Sequence, residues 1–285
     1  MSFPEIAKSI KPAVVGLGML TDENDPLSVV IIGTGFIVSP DGFIMTNRHV
    51  AEQFVVERNG VVGVRNALAR AVLFVDATGR KIGNTDQIAT GGFGAVPFPI
   101  VAIAAAPVAE GHDLHYETPP DLAVCRIRTE KLHRLGLKEL PYVRLADSSS
   151  IREGDEVGIC GFPLGMTLKW DGHLRQLTPI VQKGVVAAVL PWSGIDNPYA
   201  FQLDISVNPG SSGSPVFRAD NGEVIGIVFA APIHHGHVVI PNPKGEERIA
   251  TVALPTGFGY AIPSNRYHQK PKPSITLPDV YHKED

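Results

Sequence analysis

Apolar positions along the 285-residue chain fall in short runs separated by turn-forming residues, not in long stretches of helical period. Residues 2–11 (SFPEIAKSIK) are the exception, and their spacing predicts a short amphipathic helix. Strand-like runs follow: AVVGLGML, SVVIIGTGFIVS and FIMTN, with SPDG (39–42) as a turn that makes the last two a hairpin. Residues 51–60 fit helix or strand. Residues 61–75 give another apolar stretch ending in a turn at DATGR, residues 82–96 read as a long Gly-rich loop, and strands return at 98–106 and 121–128. The segment KLHRLGLKELPYV suits one helical turn and a connection between two units.

From residue 155 onward the pattern is β throughout: EVGIC, QKGVVAAVL, AFQLDIS, SPVFRA, EVIGIVFA, RIATVAL and GFGYAIP. Asn221-Gly222 between two of these runs is a strong hairpin signal. Many short strands divided near 140–150 predict an all-β chain of two barrels or two sandwiches. The expected organisation is 1–145, 146–266 and an extended Pro-rich tail over 267–285.

Composition adds little to this picture. The chain has 44% hydrophobic and 19% charged residues, as ordinary globular proteins do. Its net charge of -4 offers no basic excess for nucleic acid and no basic block for a membrane surface. The two cysteines, Cys125 and Cys160, sit in apolar runs and read as buried free thiols, with a single disulfide as the alternative. The low cysteine count, the absence of a small-x-small cleavage site and the lack of a long apolar span give the expectation of a soluble cytoplasmic protein.

The chemistry is concentrated in Asn208-Pro209-Gly210-Ser211-Ser212-Gly213-Ser214-Pro215. A tight loop there would converge the N–H groups of Gly210 and Ser212, the donors that an acyl-transfer oxyanion needs, beside the Ser212 hydroxyl. Taken alone, the segment is equally a plain Gly/Ser loop, His49 at the end of FIMTNRH a bystander, and Asp121 before LAVCRI a turn residue. Together they supply a hydroxyl nucleophile, a base and a carboxylate to hold the base. Their order, His49 then Asp121 then Ser212, is the order of chymotrypsin-type enzymes rather than of subtilisins or α/β-hydrolases.

These segments carry a family resemblance. IKPAVVGLG, GTGFIVSPDGFIMTNRHV, DLAV, GFPLG, FQLDISVNPGSSGSPVF and GFGYAIPSN resemble, in order, the HtrA/Deg branch of trypsin-like serine proteases. The resemblance implies two chymotrypsin-like six-stranded β-barrels with the active site in the cleft between them. It implies a serine endopeptidase with His49 as base, Asp121 as its orienter, Ser212 as nucleophile, and Gly210 and Ser212 as oxyanion-hole amides. No cofactor is required, the partner is a protein or peptide substrate, and homo-oligomers are the assembly the resemblance suggests. No room remains within these residues for the PDZ domain of many relatives.

Departures from the family pattern are Ser214 in place of Gly, and long segments at 77–120 and 230–256. The second contains His234, His235 and His237, expected to lie in an exposed loop, with a metal site as the alternative. For the specificity pocket, the resemblance places Ser206 at the base, with Phe229, Ala230, Gly259 and Ala261 as walls. No acidic residue is among them, so a small or medium apolar residue is expected at the cleaved position. The competing expectation is a latent or inactive protease-fold scaffold that binds unfolded or partner proteins.

Overall fold

The computed structural model describes residues 1–25, 28–58, 61–76, 88–90, 93–106, 120–130, 132, 137–164, 166–167, 178–195, 197–241 and 247–267. Helix α1 (Phe3–Ile10) opens the chain, where the sequence predicts it. It starts at Ser2, whose N–H donates to the Glu5 carboxylate at 2.7 Å, with Pro4 in the first turn.

The first barrel contains β1 (Val14–Leu20), β2 (Val29–Ile37), β3 (Phe43–Thr46), then β4 (Val55–Arg58) and β5 (Val61–Val64) as a side hairpin. It continues with β6 (Ala69–Asp76), β7 (Ile88–Thr90), β8 (Phe93–Ala105) and β9 (Ala123–Ile127). The order β1-β6-β8-β9-β3-β2 closes because β2 pairs back onto β1. The ambiguous stretch after His49 resolves into a short helix α2 (Arg48–Ala51), one 3₁₀ turn (Glu52–Phe54) and β4. Strand β8 begins within the expected Gly-rich loop, because Phe93 to Val96 continue the ladder with Asp76 to Leu73.

The second barrel contains β10 (Glu156–Gly161), β11 (Met166–Thr167), β12 (Ile180–Leu190), β13 (Ala200–Leu203), β14 (Pro215–Arg218) and β15 (Val224–Ala230). After these come β16 (Ile233–Pro241), β17 (Glu247–Pro255) and β18 (Gly259–Pro263). Six of these close as β10-β12-β13-β18-β15-β14, while β11 crosses over to pair with β2. The Asn221-Gly222 turn joins β14 to β15 as predicted, with Gly222 at φ +81°. Two closed, antiparallel six-stranded barrels therefore make up the fold.

Each barrel has its own apolar interior. Leu17, Ile44, Phe54 and Cys125 lie in the first, and Val157, Phe201, Leu203 and Val228 in the second. A third cluster forms the seam, where Phe36 and Val72 meet Cys160, Phe162, Phe217 and Ile227, and the Phe74 and Phe162 rings lie 5.1 Å apart. Helix α1 packs on the far barrel. Phe3 stacks on Phe217 at 6.1 Å, and Ile6 and Ile10 join the seam. Each such buried isoleucine contributes about 2–3 kcal/mol of apolar burial.

The 230–256 segment is not a loop. β16 and β17 pair over their whole length, from Ile233 opposite Pro255 to Pro241 opposite Glu247. This ribbon belongs to neither barrel sheet and shows apolar side chains on both faces, with Val239 opposite Ile249 on one and Leu254 opposite His234 on the other. The DATGR turn beyond Asp76, most of 77–120 and the tail beyond Tyr267 lie outside the described residues. Among the described residues, no helix is long and apolar enough to cross a membrane.

Candidate active site

Strand register brings His49 and Asp121 together. β3 ends with Thr46 opposite Ala123, the first residue of β9. The chain leaving β3 therefore passes the chain entering β9. Asn47, fully buried, donates from its side-chain amide to the Asp121 carbonyl at 3.0 Å and fixes that crossing. α2 then turns His49 toward the carboxylate. Its Nδ1 lies 2.5 Å from Asp121 Oδ2, and its backbone N–H donates to Oδ1 at 3.0 Å. Both carboxylate oxygens are thus committed to one residue, which fixes the ring and leaves Nε2 as the remaining ring nitrogen. Burial alone would raise the Asp121 pKa, but the hydrogen bonds and charge of His49, with Arg48 nearby, outweigh it and hold the carboxyl below its ordinary value.

Ser212 sits in the tight connection between β13 and β14 and is half-buried. Gly210 and Gly213 flank it at φ +90° and +88°, a region that L side chains avoid. The Ser211 N–H bonds back to Asn208, Gly213 N–H to Val228, and Ser214 N–H to Ser211. Among the described residues, the N–H groups of Gly210 and Ser212 donate to no backbone carbonyl. These are the two donors expected at an oxyanion hole. Ser214 does not have a positive φ, so its Cβ causes no strain there.

The pocket residues divide by strand parity. Ile205 and Val207, in the connection after β13, pack in the second barrel's core, and Ser206 between them is half-buried. Phe229 follows the core residue Val228 and its ring lies 6.4 Å from that of Tyr260. Ala230 is half-buried at the end of β15. Ala261 lies on the core side of β18. It pairs with Phe201 and Val228, and its fully buried methyl group packs in the barrel core. Gly259 shares its parity, and a Cβ there would run into Val207. Tyr260, between them, faces the other side of this strand, toward Phe229. Asp204 is turned away, its Oδ1 accepting the Val185 N–H at 2.5 Å.

Sequence reasoning passed over Thr34, Asn47 and Leu164. Thr34 is a buried hydroxyl residue in an otherwise apolar strand, and the Gly33-Thr34-Gly35 interruption was its only signal. Leu164 is the one non-glycine with positive φ among the described residues, at +69°, and nothing in GFPLG marks it. His234, His235 and His237 stand on β16, and no group of three His, Cys, Asp or Glu suited to a metal gathers among the described residues.

Paired barrels, a carboxylate-held histidine and a serine on a glycine-flanked loop define the class of trypsin-like peptidases. The family model described as "Trypsin-like peptidase domain" matches residues 33–227, and the chain belongs to that family, with DegP-like proteases among the proteins it is similar to. It is 27% identical over 197 residues to the "Probable periplasmic serine endoprotease DegP-like" of Halomonas elongata, covering 69% of this chain and 28% of the relative. It is also 27% identical over 242 residues to the "Magnetosome formation protease MamE" of Magnetospirillum gryphiswaldense, covering 84% of this chain and 22% of that one. The chain thus spans under a third of either relative. Among solved structures it resembles the "HtrA-type protease AlgW with decapeptide" at 20% identity and a TM-score of 0.47, over 93% of this chain and 65% of that one. The expected cytoplasmic location is overturned, since the DegP-like relatives are named periplasmic enzymes. Its support from cysteine usage also falls. Cys125 and Cys160 are free because each is enclosed in apolar surroundings, whatever the compartment.

Proposed function

We propose that this chain is a serine endopeptidase acting through an acyl-enzyme, in a periplasmic setting like that of its DegP-like relatives. The observation that carries the reading is His49, held by both oxygens of Asp121, together with the Gly210 and Ser212 N–H groups, which donate to no backbone carbonyl among the described residues. The Ser212 hydroxyl adds to the scissile carbonyl carbon while its proton passes to His49 Nε2. The carbonyl oxygen takes the negative charge and receives the Gly210 and Ser212 N–H groups. The C–N bond breaks and the leaving amine takes the proton from His49. Water then adds to the ester with His49 again as base, and the C–O bond to Ser212 breaks to return the hydroxyl. Asp121 stays ionised throughout, as its lowered pKa favours.

The preferred residue at the cleaved position is small or medium and apolar, because Ser206, Phe229, Ala230 and Tyr260 bring no negative charge and Asp204 is bonded elsewhere. Intact-mass analysis after fluorophosphonate treatment tests the chemistry. A single adduct on the wild type and none on Ser212→Ala is expected. No adduct on either protein would leave a latent scaffold in its place. Dominant cleavage after Arg or Lys in a peptide library would overturn the substrate preference.

A further inference from the structure

The Gly210 N–H lies in the Pro209–Gly210 peptide, which turns relative to the Gly210–Ser211 peptide by rotation about the two backbone bonds of Gly210. The plane before it is tied through the Pro209 carbonyl, which accepts the Leu164 N–H at 2.5 Å. The plane after it is tied through the Gly210 carbonyl, which accepts the Thr34 hydroxyl at 2.7 Å. That hydroxyl also accepts the Phe162 N–H at 3.0 Å, so its single proton is committed to Gly210. The Thr34 backbone N–H donates to the Ser212 carbonyl at 2.8 Å, and the Thr34 carbonyl accepts the Thr46 hydroxyl at 2.7 Å. Thr34 is fully buried. One residue of the first barrel therefore holds both residues of the second that carry the proposed oxyanion donors.

We propose that Thr34 is a positioning residue for the oxyanion hole, its hydroxyl anchoring the Gly210–Ser211 peptide so that the Pro209–Gly210 peptide, which carries the Gly210 N–H and is held on its other side by Leu164, is hinged from a fixed point. This role rests on the endopeptidase reading above. A glycine at φ +90° has no Cβ to restrict rotation of its neighbouring planes, so hydrogen bonds have to supply the restriction. Valine at 34 keeps the volume but deprives the Gly210 carbonyl and the Phe162 N–H of their partner. Serine keeps the hydroxyl, and cysteine keeps a weaker donor of similar size.

The experiment compares wild type with Thr34→Ser, Thr34→Cys and Thr34→Val. It reads the fluorophosphonate labelling rate per folded molecule, kcat and KM on a short peptide, and Tm. Ser264→Ala serves as the stability control, because it removes another buried hydroxyl bond, to the Ala146 carbonyl, outside the nucleophile loop. Labelling rate and kcat should fall in the order Ser, Cys, Val, with Thr34→Val at least about tenfold below wild type and KM within about twofold. Ser264→Ala should lower Tm and leave the labelling rate unchanged. A flat series across position 34, or a fall that tracks Tm in all variants including Ser264→Ala, overturns the role of Thr34. Should Thr34→Val not fold, the Ser–Cys comparison decides alone. A wild type that takes no label removes the endopeptidase reading and this role together; a labelled wild type with a flat series removes only this role.

Discussion

Thr46 stands directly opposite Ala123 in the β3–β9 ladder, and that one register position delivers His49 to Asp121. A slip of one residue would turn the neighbouring core residues outward, so the barrel's burial also protects the geometry of the site.

Replacing Asp121 with Asn should lower kcat by about 10⁴-fold, through loss of the ring's tautomer and of the charge that balances imidazolium. The same change has a stability signature. The Asp121 carboxyl lies below its ordinary value of 3.8 in the folded chain, so its contribution is present above that pH and is lost as pH falls through the folded value. Urea unfolding of wild type and Asp121→Asn should differ most near neutrality and converge in strong acid. A gap that persists undiminished well below pH 3.8 would show that the carboxylate is not what stabilises the pair.

Gly213→Ala should abolish labelling at Ser212 and destabilise the chain by about 2–3 kcal/mol. The backbone there sits at φ +88°, and a Cβ would run into the Thr34 carbonyl and the Thr46 hydroxyl. Denaturant midpoints and adduct formation report the two effects separately. A stable, fully labelled Gly213→Ala protein would contradict the loop geometry.

Neither cysteine should react with iodoacetamide at pH 8 in the native chain, and both should react in denaturant. Burial raises each thiol to about 12, so the thiolate that reacts is scarce and enclosed. Mass spectrometry under the two conditions checks this, and native alkylation of either residue would refute it. Burial is also what would keep both thiols reduced in an oxidising compartment.

Much of this site was legible in the sequence because its parts are local. The SPDG and Asn-Gly turns set two hairpins, and GSSGSP contains its own glycines. What escaped was set by pairing between distant segments. Thr34 reaches Gly210 across 176 positions, and no local pattern encodes that bond. The direction of Ala261 was not legible either, because GFGYAIP gives a strand but not its parity. Only its pairing with Phe201 and Val228 shows which face is core. RIATVAL was legible as a strand, but its partner β16 was read as a loop, because His234, His235, Gly236 and His237 interrupt its apolar residues.

That ribbon enters from β15 and returns to β18, whose residues Ala230 and Tyr260 are already paired at its base. The barrel wall is complete without it. Its length is therefore a free variable of the architecture: the excursion can be shortened to a tight turn, or exchanged for a foreign sequence, while the closure of the second barrel keeps its terms. Rooted beside Phe229 and Tyr260, it is a natural graft point from which new recognition could be added to an unchanged catalytic frame.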